Sequence, residues 1–405
     1  MKRLFALFLV LLAAWGCSKR ENPVEPTIQS GTMITGSLVS VILDSVIVPQ
    51  NAGRRLLVYE PVGYSTAETT VYLPDSTVDP PAIDTFSYVT SHDYPVLYLL
   101  HGYGFDYAYF KTLFAVKDIL DEMIASGEII PMVVVMPDGN NTFGGSFYAN
   151  SPRDTANGVS FSGLYEDYFL NELMQYVELH FNTDTTQAGR GISGHSMGGY
   201  GAYRLAMRHP DLFSSVSALS APLAFSGLTA LLPAVYAENG WTPGDTAGFY
   251  AIAPSSNKRV TSMMFAMGSA FSPHGISDSD TSLFHRVLVT TLRIGVDLPF
   301  KVDGVLDSNF WTTEWLVNDP VTMLSNGGAA ALAGKALYLD CGDNDDLYLH
   351  LQNRGFSQAL EAASLTHTYH EYAGYPGSPA DHMIFVADRL REMLKFHSQA
   401  FAANR

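Results

Sequence analysis

Two short runs, "PVLYLL" from Pro95 to Leu100 and "PMVVVM" from Pro131 to Met136, are apolar at nearly every position. Side chains alternate between the two faces of a strand, so a strand that is apolar throughout must be covered on both faces. That requirement points to a mostly parallel sheet between layers of helices. The chain between the runs agrees with it: "FAVKDILDEMIAS" places Phe114, Ile119, Leu120, Met123 and Ile124 at helical spacing. A second helix is expected over Glu166 to Phe181, with Phe169, Leu173 and Val177 one turn apart and Leu170 and Met174 beside them. The alternation continues with a strand near Gly189 to Ser193 and a helix from Gly199 to Arg208, stopped before Pro210. Strands follow near Val216 to Leu219, Ala336 to Leu339 and Leu365 to Tyr372, and a last helix runs from Ile384 to His397. Towards the start, the β-branched stretch Ser37 to Val48 reads as a strand with a neighbour soon after. The fold class is α/β.

One segment breaks the rhythm. Residues 222–334 separate two expected strands and carry Trp241, Trp311 and Trp315. An insertion of that length is expected to cover a site. The rest of residues 35–405 reads as a single domain, for which 405 residues with 47% apolar and 16% charged content suffice.

The beginning is of another kind. "MKRLFALFLVLLAAWGC" has a basic start and an apolar run from Leu4 to Ala14, too short for a comfortable membrane span. Residues 1–16 are read as a signal peptide, and the ending at Cys17 is similar to a bacterial lipoprotein cleavage site. Cys17 would then carry lipid, and residues 17–34 would form a flexible tether. The expectation is an exported protein held to the cell envelope by that lipid alone, or secreted if the signal is an ordinary one. Cys341 is left without a partner, so no internal disulfide is expected. The formal charge of −17 becomes −19 once Lys2 and Arg3 are removed. Such a balance argues against nucleic acid and anionic membrane surfaces as partners.

"GISGHSMGGYGAY", residues 191–203, sets Ser196 between Gly194 and Gly198. Where a strand turns straight into a helix, the residue at the bend is strained and its neighbours two places away come close together. Glycine relieves that crowding and leaves the serine exposed on an elbow. Serine is a poor nucleophile until a base takes its proton. On α/β hydrolase scaffolds the acid and then the histidine follow the serine along the chain. "ALYLDCGDNDDLYL" offers Asp340, Asp343, Asp345 and Asp346 after a late strand. Asp340 sits at the strand end itself, and local spacing does not choose among the others. "GYPGSPADHMIF" offers His382 just before the last helix. His367 and His370 fall within the expected strand on opposite faces, and His397 lies late in a helix. An acyl-transfer site also needs two N–H groups aimed at the developing oxyanion. Met197, after the serine, is one donor. Tyr103, in the "LLHGYG" loop after an early strand, is the other, with His101 serving loop structure.

The segments "YPVLYLLHGYG", "VVVMPDGNNTFGGSFYANS", "YEDYFLNELMQYVELHF" and "GRGISGHSMGGYGAYRLAMRHPDLFSSVSALSAPL" together resemble an esterase family. It includes esterase D (S-formylglutathione hydrolase), feruloyl and acetyl xylan esterases, and the antigen 85 mycolyltransferases. The resemblance implies an α/β-hydrolase fold and a Ser–Asp–His triad. It selects Asp345 from the G-x-x-D stretch Gly342 to Asp345, with Asp346 in reserve, and supports His382, Met197 and Tyr103. The stretch before His382 is longer and richer in proline than the family's usual turn. The implied activity is hydrolysis of carboxylic esters through an acyl-enzyme, on a small-molecule or polysaccharide-linked ester such as a feruloyl or acetyl group. Neither cofactor nor metal is implied. The alternatives are an acyltransferase of the antigen 85 type and a non-catalytic binding lipoprotein.

Overall fold

The computed structural model describes residues 30–404 apart from 45, 47–52, 76–81, 154–157, 276–285 and 290–293. The expected signal peptide, Cys17 and most of the tether therefore lie outside the described residues.

Eight strands form the main sheet: β1 Thr32–Val39, β2 Gly53–Glu60, β3 Val96–Leu100, β4 Val133–Pro137, β5 Arg190–Gly194, β6 Ser215–Leu219, β7 Ala336–Gly342 and β8 Thr368–Tyr372. Their spatial order is β1-β2-β4-β3-β5-β6-β7-β8. Only β2 runs against its neighbours; β3 through β8 are mutually parallel. The two apolar runs are β3 and β4, and every residue in both is buried. Their alternate side chains go to opposite layers. Leu97 and Leu99 pack with Ile119, Leu120 and Met123 and with Leu390, Met393 and Leu394 of the last helix. Val96, Tyr98 and Leu100 pack with Phe169, Leu173 and Val177 and with Tyr203 and Leu205. The helices expected from sequence thus supply both covers.

Several boundaries differ from expectation. β1 ends at Val39, and the β-branched stretch beyond it turns away instead of pairing. The Glu172 carboxylate accepts from the N–H groups of Val41 and Ile42 at 2.9 and 3.0 Å and from the Ser40 hydroxyl, which stabilises that turn. Ala115, at a left-handed φ of 49°, separates helix Tyr109–Phe114 from helix Val116–Ala125. The next long helix starts at Tyr165, ends at His180 and contains a π turn at Phe169–Leu173. β8 begins at Thr368, so His367 stands outside the strand, where its Nε2 meets the Ser357 hydroxyl at 2.7 Å. The last helix runs from Val386 to Ala403. A two-stranded ribbon, Glu68–Asp75 with Ala82–Val89, was not anticipated.

Within residues 222–334 the chain is mostly helical, including Leu232–Asn239 and Arg259–Phe271, with a small three-stranded sheet. Trp241 and Trp315 are buried, and their indole N–H groups donate to Asp245 O at 2.8 Å and to Ser272 Oγ at 3.1 Å. Both serve as core residues of this segment. Among the described residues no helix is long and apolar enough to cross a membrane.

Candidate active site

β5 ends at Gly194 and helix Met197–Arg208 begins three residues later. Ser196, between them, has φ 56° and ψ −120°, a conformation that costs about 1–3 kcal/mol for a residue with a side chain. A Cβ on Gly194 would lie 2.3 Å from the Gly198 carbonyl carbon, and one on Gly198 would lie 1.9 Å from Leu100 O. The glycine spacing is therefore a packing requirement: elbow, helix start and the end of β3 meet there backbone to backbone.

The late loops bring the next two groups together. His382 Nδ1 lies 2.8 Å from Asp345 Oδ2, and both residues are buried. The second Asp345 oxygen accepts from the N–H groups of Leu347 and Leu349 at 2.8 and 3.4 Å. Burial raises the Asp345 pKa, but the His382 contact and the two N–H groups outweigh it and hold the carboxyl below its ordinary range. The other aspartates are engaged elsewhere. Asp340 lies within β7 and binds Arg389 at 2.9 Å and the Tyr338 hydroxyl at 2.6 Å. Asp346 forms a half-exposed ion pair with Arg259 at 2.7 Å. The Asp343 N–H extends the β7–β8 pairing to Tyr372 O at 3.0 Å. Cys341, 3.7 Å from Asp345, is buried, and burial pushes its thiol pKa well up.

His382 also reaches the elbow. Its main-chain oxygen lies 3.0 Å from Nε2 of His195, the residue before Ser196, and the two imidazole rings are 4.7 Å apart. Among the described residues no hydrogen bond joins the Ser196 hydroxyl itself to His382 in this unliganded chain. Catalytic contacts of this type commonly close only around a substrate.

The backbone N–H groups beside the expected donors are occupied. Ser196 N donates to Leu219 O, Gly198 N to His195 O and Gly104 N to Gly144 O, each at 2.8 Å. Among the described residues the N–H groups of Met197 and Tyr103 have no such acceptor. The Tyr103 loop is braced by the family-like segment after β4. The Tyr103 hydroxyl donates to Phe143 O and the Tyr148 hydroxyl to His101 O, both at 3.2 Å. His101 Nε2 accepts from Gly139 N–H at 2.8 Å, and Nδ1 donates to Gly102 O at 2.8 Å. Both ring nitrogens thus serve loop structure.

Ser196, Met197 and Tyr103 line one small, largely enclosed apolar cavity. Leu228, Leu231, Met263 and Met267, all from residues 222–334, line the same space. It has room for little more than one water-sized group. Two larger open grooves contain none of these residues.

The model for the family described as "Putative esterase" matches residues 71–384, well over half of the chain. The chain belongs to this esterase family. Among curated relatives, Esterase Rv1288 of Mycobacterium tuberculosis is 36% identical over 131 residues, 32% of this chain and 25% of that protein. An endo-1,4-beta-xylanase/feruloyl esterase of Xylanibacter ruminicola is 30% identical over 127 residues, 31% of this chain and 16% of that protein. The matches thus span only a quarter or less of these relatives' lengths. Among solved structures, a ferulic acid esterase superposes with TM-score 0.52 at 21% identity, covering 92% of this chain and 99% of that one. The S-formylglutathione hydrolase of Agrobacterium tumefaciens gives TM-score 0.52 at 17% identity, covering 93% and 97%. At such identities the likeness speaks to fold, and the fold is the α/β-hydrolase one.

His195, with Tyr109 behind it, was missed in the sequence. The only signal was its place inside the glycine–serine motif, where the intervening residue ordinarily goes unread. One further cluster also escaped notice. His274, Asp297 and Glu314 offer ligand atoms within 4.8 Å of one another, and His274 Nε2 meets an Asp297 carboxylate oxygen. They come from separate parts of residues 222–334, so no local motif announces them, and none lines the cavity at Ser196.

Proposed function

We propose that the chain is a serine carboxylesterase. Ser196 Oγ forms a bond to the ester carbonyl carbon while His382 takes the hydroxyl proton. The N–H groups of Met197 and Tyr103 hold the oxyanion. The carbon–oxygen bond to the alcohol then breaks, and His382 returns its proton to that alcohol. Water, deprotonated by His382, releases the acid and frees Ser196. Asp345 orients His382 and stabilises its charged form. The observation that carries this reading is the buried 2.8 Å contact between Asp345 and His382, with His382 bound in turn to the residue beside Ser196.

The cavity favours a small uncharged acyl group, so acetyl esters fit better than feruloyl ones. Residues 222–334 would act as the cover that sets this limit. A polysaccharide-linked acetyl ester accords with the esterase activities named in the relatives. The expected lipid on Cys17 would hold the domain at the cell envelope.

The test is a series of p-nitrophenyl acetate, butyrate and octanoate, with products analysed in the presence of an added alcohol or sugar. Forcing a longer chain into a filled pocket costs about 1–3 kcal/mol, so kcat/KM should fall roughly ten-fold or more from acetate to octanoate. An equal or rising rate overturns the small-acyl reading. Transfer to the added hydroxyl in preference to water makes the chain an acyltransferase.

A further inference from the structure

His195 occupies the variable place between Gly194 and Ser196, and the chemistry above makes no use of its side chain. The ring is only 1% exposed. Its Nε2 lies 3.0 Å from the His382 carbonyl oxygen. A carbonyl can only accept, so Nε2 carries the proton. Nδ1 is then the acceptor, and it takes the Tyr109 hydroxyl at 2.8 Å. Tyr109 is buried as well, with its ring stacked 5.9 Å from that of His195. Burial, with His382 close by, pushes the His195 pKa down to about 3, so the ring stays neutral near pH 7. Burial moves Tyr109 upward, so its hydroxyl stays a donor.

Resting on the esterase reading, the geometry points to Tyr109 and His195 as positioning residues for the catalytic base. Asp345 fixes the His382 side chain, and His195 fixes the His382 main chain. His195 is also the covalent neighbour of Ser196. A single N–H···O bond therefore ties base to nucleophile across 187 positions of sequence. Tyr109 selects the tautomer that makes this bond: a donor at Nδ1 leaves Nε2 as the protonated nitrogen. On either side of His382 the chain is tied down locally, since the Asp381 carboxylate accepts from the N–H groups of Met383 and Ile384 at 2.8 Å. Among the described residues His195 is the donor to the His382 carbonyl.

The experiment compares His195→Leu, His195→Gln and Tyr109→Phe with wild type and Ser196→Ala in the full chain. It measures kcat and KM on p-nitrophenyl acetate, with folding followed by near-UV circular dichroism. A misplaced base loses rate and not affinity, so His195→Leu should lower kcat about 10–100-fold with KM within about two-fold. The glutamine amide nitrogen can reach the Nε2 position, so His195→Gln should recover most of that loss. Tyr109→Phe should lower kcat several-fold at constant KM. Wild-type kcat in folded His195→Leu, or equal damage from glutamine and leucine, overturns the inference. Where His195→Leu does not fold, Tyr109→Phe decides: a kcat loss at constant KM supports the inference, and wild-type kcat overturns it. Activity retained in Ser196→Ala instead overturns the esterase reading on which the inference rests.

Discussion

Gly198→Ala is the sharpest probe of the elbow. The new Cβ would sit 1.9 Å from Leu100 O, 2.5 Å from Leu100 C and 2.9 Å from His101 O. All three are backbone atoms of β3 or its following loop, so no side chain can swing aside. An ordinary contact begins near 3.4 Å, so the two segments must part by about 1.5 Å. The Leu100 carbonyl also accepts from His195 N–H at 3.2 Å, a bond that such a movement breaks. Overpacking costs about 1–3 kcal/mol and a broken buried hydrogen bond a further 1–3, so a loss of roughly 2–5 kcal/mol is expected. The shift also carries the Tyr103 N–H away from Ser196, and a 1 Å misplacement costs on the order of 100-fold in rate. Gly102→Ala is the control. Its Cβ would meet Ser196 Cβ at 3.5 Å, an ordinary contact, so stability should change by less than about 1 kcal/mol. Urea unfolding followed by tryptophan fluorescence, with initial rates on p-nitrophenyl acetate, measures both effects. A Gly198→Ala protein as stable and as active as wild type would refute the packing argument.

Two further outcomes follow from the same geometry. In Asp345→Asn the oxygen can still accept from Leu347 and Leu349, while the amide N–H₂ faces His382 Nδ1. That holds the base in the wrong tautomer, so kcat should fall about 10³–10⁴-fold with little change in melting temperature; a fall below ten-fold in steady-state rates would contradict it. His397, fully buried between the hydroxyls of Ser215 and Ser217 at 2.7 and 2.8 Å, has its pKa pushed by burial from 6.5 down to about 3. The unfolded chain takes up this proton first as pH falls, so the stability that His397 contributes is complete above about pH 6.5 and is lost on the way to pH 3. The limiting slope is about 1.4 kcal/mol per pH unit, and His397→Gln should remove that share from denaturation curves taken between pH 6 and 4; an unchanged slope would show that the ring is not held neutral.

Much of this architecture was legible because it follows from one-dimensional rules. A run such as Val133–Pro137 has no polar side, so two-sided burial is unavoidable. Gly194 and Gly198 could be read because the elbow admits no other residue at either place. Local spacing could not choose among the four aspartates. The choice depends on which side chain leaves the β7 end towards β8, and that is a tertiary fact: Asp340 is taken by Arg389 from the last helix, and Asp346 by Arg259 from residues 222–334. The strand expected to Val48 failed for a similar reason, since Glu172, 130 positions away, stabilises a turn over β-prone residues. His195 was invisible because its partners, Tyr109 and the His382 carbonyl, are distant in sequence, and one of them is backbone.

The central claim is that Ser196 is the nucleophile. The most direct measurement is the hydrolysis rate of p-nitrophenyl acetate by the chain from Ser18 onward, beside its Ser196→Ala variant, with folding verified in both. The account predicts a loss of several orders of magnitude in kcat/KM, and no acyl group on the variant by intact-protein mass spectrometry. A folded Ser196→Ala protein that hydrolyses the ester at the wild-type rate would contradict it.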